Sequence, residues 1–339
     1  RQNKRSSLDL PWTGVCDTMM QLFYQNNKTG DTWDLATVSE KVEFKTTRKG
    51  AAWSVEITLY NSTKVAFEYG SPLAFKLDDK EVFFGYLTKI KYEKDTKTTL
   101  TFHDQIKYLL RNINFVAKDK NVNQIVSAIA GDFDLKIGEL KAPAVTLSPQ
   151  LKEDKKALDI IQEAMDEALV QSGELLVLYD KFGELTLTTP KNLPIQYIIG
   201  NESFMSSFEF EGSIEDSANI VRLIQENKET KKREVYIYQD SYNIGAWGKL
   251  QYMKKVDEKA TEGQIKQWGE MLLKMKNRPK ETFSLKADIG SIDFLAGHAV
   301  YVDVKDIEKK GWYVIEEATH SFSDEKHTME IKLFMAGSE

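Results

Sequence analysis

The segment GWYVIEEATHSFSDEKHTMEIKLFM, residues 311–335, limits the fold more than any other stretch of the chain. In extended backbone, side chains alternate between two faces. On that period Trp312, Val314, Glu316, Ala318, His320 and Phe322 share one face. A turn at SDEK then sets Phe322 opposite His327, His320 opposite Met329 and Ala318 opposite Ile331. Met329, Ile331 and Leu333 thereby join the apolar face, while Tyr313, Glu317, Glu330 and Lys332 fall on the other. A slip of one residue would expose the whole apolar set, so the register is strongly specified. The pattern predicts a long antiparallel hairpin.

The same layout occurs near the start of the chain. FGYLTKIKYEKDTKTTLTFHD, residues 84–104, has a Gly–aromatic start, a long strand, a charged turn and a strand ending near a histidine. Alternation there sets Leu87 and Lys89 on one side and Tyr86, Thr88 and Ile90 on the other. Upstream of each hairpin lies a further Gly-to-strand unit, GSPLAFKLDDKEVFFGY in one case and AGHAVYVDVKDIEKKGWY in the other. Short β-branched and aromatic runs such as KVEFKTT and AAWSVEITLY complete a strand-rich first third. Internal self-similarity of this kind predicts duplicated units.

Between the two lies different composition. Val122, Ile125, Val126 and Ile129 recur at helical spacing, with Gly131 as the expected stop, and Leu158, Ile161, Met165 and Leu169 do so up to Gly173. A hairpin around DKFGE follows. Later, Thr261 is an N-cap for a helix carrying Ile265, Trp268, Leu272 and Met275 on one face, terminated by Pro279. The expected fold is mainly β with α+β parts: two similar small β-barrel domains, an α+β domain between them and a helix-containing insertion in the second barrel. The expected boundaries are 1–115 for the first barrel with an N-terminal arm and 116–195 for the α+β domain. The second barrel takes 196–225 and 281–339, and the insertion takes 226–280.

Chemistry is sparse. The 339 residues carry a net charge of -6, which leaves no global basic footprint for nucleic acid. One cysteine, Cys16, excludes an intramolecular disulfide framework and any multi-cysteine zinc site. No run approaches the roughly 20 apolar residues of a membrane helix, and the start RQNKRSS has no apolar signal segment. Three of the four histidines, His298, His320 and His327, lie in the last tenth or so of the chain near Glu316, Glu317, Asp324 and Glu325. A metal site would need tight Cys/His pairs or HExxH, and strand periodicity makes these hairpin histidines instead. SDEK matches S-x-x-K, but it lies in a turn without the companion motifs. Cys16 has no histidine nearer in sequence than His103. No G-x-S-x-G, P-loop or G-x-G-x-x-G occurs, and lysine runs such as KETKKR mark solvated turns.

These stretches together resemble the tail hub proteins of contractile phage tails, the PBSX-type and Mu-type hubs of the late-control-D-like superfamily, whose relatives include R-type bacteriocins. The most specific match is GKLQYMKKVDEKATEGQIKQWGEMLLKMKNRPKETFSLKADIGSIDFLAGHAVYVDV, residues 248–304. GWYVIEEATHSFSDEKHTMEIKL, SIEDSANIVRLI and FHDQIKYLLRN add to it, and the likeness runs from Val15 onward. The resemblance implies a non-enzymatic trimer whose six barrels form a pseudo-sixfold ring joining a tail tube protein to a central spike protein. It implies contact with baseplate wedge or tape-measure components, passage of DNA through the channel without specific binding, no membrane and no cofactor. It also implies assembly in the bacterial cytoplasm. The long hairpins would supply subunit contacts, which makes Tyr86, Tyr92, Trp312, Tyr313, His320 and His327 the candidate interface residues. Two rival expectations are a tail-tip cell-wall hydrolase or carbohydrate-binding protein, suggested by the many aromatics, and a metal-dependent enzyme using His298, His320 and His327.

Overall fold

The structure, a computed structural model, describes residues 19–60, 65–93, 97–201, 203–226, 232–323 and 326–335. Cys16, the expected N-terminal arm, the centre of the SDEK turn and most of KETKKR lie outside the described residues. The first unit holds β1 (Met20–Gln25), β2 (Thr32–Asp34), β3 (Ser39–Thr47), β4 (Ser54–Tyr60), β5 (Pro72–Leu77), β6 (Lys80–Tyr92) and β7 (Lys97–His103). They lie in the order β3-β4-β7-β6-β5-β1-β2. The sheet curls on itself: the ring of Phe44 on β3 lies 6.0 Å from Phe75 on β5 and 5.7 Å from Phe83 on β6. In a flat sheet, with strands about 4.8 Å apart, β3 and β5 would be roughly four spacings apart. Val42, Phe44, Val55, Ile57, Phe75, Leu100 and Phe102 fill the enclosed core.

One expectation about β6 fails. Simple alternation puts Leu87 and Ile90 on opposite faces, yet they pair with Phe102 and Leu100, which share the core face. Thr88 is the extra residue of a β-bulge between Leu87 and Lys89, and a bulge reverses the alternation beyond it.

Next come β8 (Asn112–Ala117), α1 (Val122–Asp132), β9 (Ile137–Leu140), β10 (Gln150–Lys156), α2 (Ala157–Ser172), β11 (Val177–Asp180) and β12 (Leu185–Thr188). Asn121 and Gln124 form a reciprocal capping box that starts α1. Gly131 does not stop that helix; it lies inside the last turn, and Phe133 is the C-cap. Gly173 does end α2, at φ 75°, the left-handed position that glycine occupies without a Cβ clash. The two helices share one core with β8, β9, β11 and β12 residues. β9 joins β12 in parallel, a pairing that sequence periodicity does not signal.

The remainder holds β13 (Pro194–Gly200), β14 (Ser207–Ser213), β15 (Ile220–Glu226), β16 (Arg233–Gln239), α3 (Ser241–Trp247), β17 (Gln251–Val256), α4 (Glu262–Lys276), β18 (Lys280–Ala287), β19 (Ala299–Val304), β20 (Lys309–Ser323) and β21 (Lys326–Phe334). Thr261 caps α4 as expected, and Ile265 and Leu272 bury against the β16-β15-β17 sheet. In the terminal hairpin the pairs Phe322–His327, His320–Met329 and Ala318–Ile331 form as read from the sequence. Nearer the start of β20 the expected placements of Trp312 and Tyr313 are exchanged, while Val314 is buried as expected. Tyr313 and Ile315 point into the core, while Trp312 is 53% exposed, because Glu316 is the extra residue of a second bulge.

Two sets of five strands repeat one plan. The order β3-β4-β7-β6-β5 recurs as β14-β18-β21-β20-β19, every pair antiparallel. Each long strand carries its bulge at the same step, Thr88 in one and Glu316 in the other. Matching the bulges and ladders residue by residue makes Leu87 equivalent to Ile315, Tyr92 to His320, Phe44 to Phe210 and Lys45 to Glu211. Gly85 then corresponds to Tyr313 and Phe83 to Gly311, so the Gly–aromatic pairs matched in the sequence stand two residues apart in the ladders. A shift of two preserves the facing of every side chain, which is why the sequence patterns still agree.

Candidate functional site

The two five-strand modules are fused side by side. β20 pairs antiparallel with β3 from Glu317–Thr47 to Ser323–Lys41, so one 13-stranded sheet runs through both. The edge of β20 that carries this contact is divided: β19 occupies it over Lys309–Val314, and β3 takes over beyond the bulge. Arg48 holds the changeover. Its backbone N–H donates to the Glu316 carbonyl at 2.9 Å, and its Nε donates to Glu316 Oε2 at 2.6 Å. The guanidinium lies 4.5 Å over the Phe334 ring, and the side chain is only 7% exposed. Thr46 adds a second link, its Oγ1 accepting from the Ala296 N–H at 3.0 Å.

His320 lies inside this junction, fully buried, stacked 6.0 Å from Phe44. Its Nε2 lies 2.9 Å from the Phe294 carbonyl, which can only accept, so Nε2 carries the proton. Nδ1 is then an acceptor, and His327 Nε2, 3.0 Å away, donates to it. His327 stacks 4.2 Å from Phe322. Burial lowers the pKa of His320 to about 4, and burial followed by the charge of His320 lowers His327 to about 3. Burial likewise takes His298, whose Nδ1 is enclosed without a hydrogen-bond partner among the described residues, to about 4. Among the described residues no three or more His, Cys, Asp or Glu side chains converge as metal ligands.

The six interface candidates separate into two groups. Tyr313 and His320 are interior to the chain, at 1% and 0% exposure. Tyr92 is 70% exposed and Trp312, edge-to-face with Tyr301, is 53% exposed. His327 is half-buried in the histidine pair. Tyr86 is half-buried in a cleft of about 540 Å³ lined also by Phe84, Tyr108, Phe133 and Phe182.

Sequence patterning missed Phe44, Arg48 and Phe210. A usable signal was present, because VEFKTT on β3 and FEFEGS on β14 share an apolar–Glu–Phe step. It also missed a buried carboxyl pair beside the cleft. Asp104 Oδ2 accepts from Trp53 N–H at 3.1 Å and its Oδ1 from Ile106 N–H at 3.0 Å, which caps the turn Gln105–Leu110. Burial, then the charge of Asp180, raises the Asp104 pKa well above the carboxylate range, and burial raises Asp180 to about 6. At 1% and 4% exposure neither carboxyl meets solvent, so their placement is that of structural groups.

This fold, a sheet built from two like modules fused edge to edge with smaller units around it, is shared with solved tail proteins. It matches the 43 kDa tail protein of prophage MuSo2 from Shewanella oneidensis with a TM-score of 0.70 at 9% identity, over 94% of this chain and 99% of that one. It matches the tail protein of Neisseria meningitidis MC58 with a TM-score of 0.69 at 12% identity, over 93% and 96%. The chain belongs to the YQBQ-like family, which it matches over residues 42–334. The phage-like element PBSX protein XkdQ of Bacillus subtilis (strain 168) is 26% identical over 308 residues, 89% of this chain and 94% of that protein.

Proposed function

We propose that the chain is the tail hub of a contractile phage-like particle: a trimer whose six β-modules form a pseudo-sixfold ring between the tail tube and the central spike. The observation that carries this is the edge-to-edge fusion of two modules of one plan through β3 and β20. A chain that presents the same module twice turns a threefold assembly into a ring with six near-equivalent positions. Such a ring matches a sixfold tube on one side and a trimeric spike on the other. The solved neighbours named above are tail proteins and XkdQ is a protein of a phage-like element, which supports the same particle.

On this reading the hub does no chemistry and uses no cofactor. Its partners are further copies of itself, the tube and spike proteins, and wedge or tape-measure components, and DNA crosses the channel without specific binding. Residues 1–115 and the pair 196–219 with 281–339 supply the two barrel domains. Residues 116–195 form the α+β unit, and the insertion starts earlier than the expected 226, because β15 pairs with β16 and β17. Assembly takes place in the bacterial cytoplasm. The rival tail-tip carbohydrate binder has one observation in its favour, the aromatic cleft around Tyr86.

Mass measurement in solution, of the protein alone and with its tube and spike proteins, tests the hub. The expected species is about 116 kDa, three times the 38.8 kDa chain, alone or on addition of the spike. A chain that stays monomeric with both partners present overturns it, and glycan binding abolished by Tyr108→Ala would establish the rival.

A further inference from the structure

Among the strand edges that the fusion leaves open, one lies on β6 and one on β14. β5 covers β6 only as far as Tyr86, and the backbone of Leu87 bonds to Gly70 and Ser71. Beyond that point, the outer edge of β6 over Lys89–Glu93 meets no strand among the described residues. At the far end, β14 pairs with β18 and with no other strand among the described residues. These open edges are not arbitrary. β6 is the equivalent of β20, and β14 is the equivalent of β3, so the two free edges are the counterparts of the two that pair inside the chain.

We propose that β6 of one copy pairs antiparallel with β14 of a second copy, in the register that β20 and β3 use within the chain. This rests on the ring reading and supplies its seam. Carrying the internal register across residue by residue sets Lys89 opposite Ser213, Ile90 opposite Gly212, Lys91 opposite Glu211, Tyr92 opposite Phe210 and Glu93 opposite Glu209. The contact is head to tail, and a head-to-tail contact closes into a ring when its rotation divides the circle.

The side chains suit the transferred register. Tyr92 arrives over Phe210 as His320 lies over Phe44. This gives an occupant to the outer face of Tyr92, 70% exposed in the single chain. Phe208 and Phe210 are only half-buried, whereas their equivalents Val42 and Phe44, covered by β20, are at 0% exposure. Lys91 meets Glu211, an opposite-charge pair directly across the strands. Glu93 meets Glu209, a like-charge pair, and Lys91, which already contacts Glu93, stands beside it. β14, SFEFEGS, has neither the proline nor the lysine with which solitary edges are protected from pairing.

Paired cysteines test the seam in a Cys16→Ser background, which removes the chain's one thiol. Neighbouring antiparallel pairs alternate between Cα separations of about 4.5 and 5.5 Å, both inside the roughly 4.4–6.8 Å span of a disulfide. Lys91→Cys with Glu211→Cys, and Tyr92→Cys with Phe210→Cys, are each oxidised in the assembled protein. At least one pair is expected to give reducible dimers and closed trimers on a denaturing gel, and the out-of-register control, Lys91→Cys with Glu209→Cys, neither. An assembly of unchanged mass in which no in-register pair cross-links, or in which the control cross-links as well as they do, overturns the seam and leaves the ring standing. Absence of any assembly of the uncrosslinked protein, alone or with tube and spike, removes both.

Discussion

The two β-modules share strand order, ladder and bulge, and differ in what covers their edges. In the first, β3 lies under β20, and Phe44 and Val42 are wholly buried. In the second, the equivalent strand β14 is open, and Phe210 and Phe208 are half-buried. His320 is enclosed at the covered junction, while its equivalent Tyr92 is exposed. One plan therefore yields a finished edge and an unfinished one, and the residue types follow. The covered edge carries a histidine whose two ring nitrogens are satisfied inside the chain. The open edge carries an aromatic that loses little by waiting in solvent, because its body is apolar and its hydroxyl polar.

The largest expected effect contrasts Phe44 with Phe210. Removing a fully buried phenylalanine costs about 3–5 kcal/mol, so Phe44→Ala should lower the denaturant midpoint of the protein severely. Phe210→Ala in the unassembled chain should cost clearly less, since part of its ring already faces water. Equal losses from the two substitutions would break the distinction between the edges. Arg48→Ala is expected to come next. It strips Glu316 of its partner and Phe334 of a covering cation; breaking a buried pair costs about 3–5 kcal/mol, and the one-third exposure of Glu316 brings this down to about 1–3. Position 214, the equivalent of 48, is an isoleucine and has no such pair to lose.

Acidification acts on both modules. His103 on β7 of the first, together with His298, His320 and His327, is held neutral by burial, with pKa values of about 4, 4, 4 and 3, below the ordinary histidine value of 6.5. The unfolded chain therefore takes up these protons first, and the stability present above pH 6.5 drains away as pH falls towards 4. Each group contributes at most about 1.4 kcal/mol per pH unit in that window. Asp104 and Asp180 act in the opposite sense, since raised carboxyl pKa values favour the folded chain in acid. With four histidines against two carboxyls, melting temperature should fall between pH 6.5 and 4.5. His320→Phe should flatten the slope whatever it does to stability at pH 7; an unchanged slope would show that His320 is not held neutral.

Alternation made both long hairpins legible, and with them the pairing of Phe322 with His327 and of His320 with Met329. The bulges escaped because Thr88 and Glu316 carry no residue signature, and each reversed the faces on one side of it. The parallel pairs β9–β12, β13–β19 and β15–β17 join segments distant in sequence, for which local patterning has no term. α3 buries none of its residues, so it has no apolar stripe to read, although Asp240 caps it. At the junction, the Arg48–Glu316 bond spans 268 residues of sequence and was invisible for the same reason.

The smallest effect on the single chain is expected from Tyr92→Ala. Tyr92 is 70% exposed, so the isolated protein should keep its stability within about 0.5 kcal/mol. His320→Ala at the equivalent position removes the hydrogen bonds to Phe294 and His327 and opens the stack on Phe44, which costs about 2 kcal/mol or more. Chemical denaturation of the two variants measures that difference within one chain. The sharper reading is concentration dependence. If a second copy covers Tyr92 as β3 covers His320, Tyr92→Ala raises the concentration at which the assembly dissociates while leaving the monomer's unfolding midpoint in place. A variant that melts early as a monomer and assembles normally would place Tyr92 in the fold of its own module and leave the open edge of β6 without a partner.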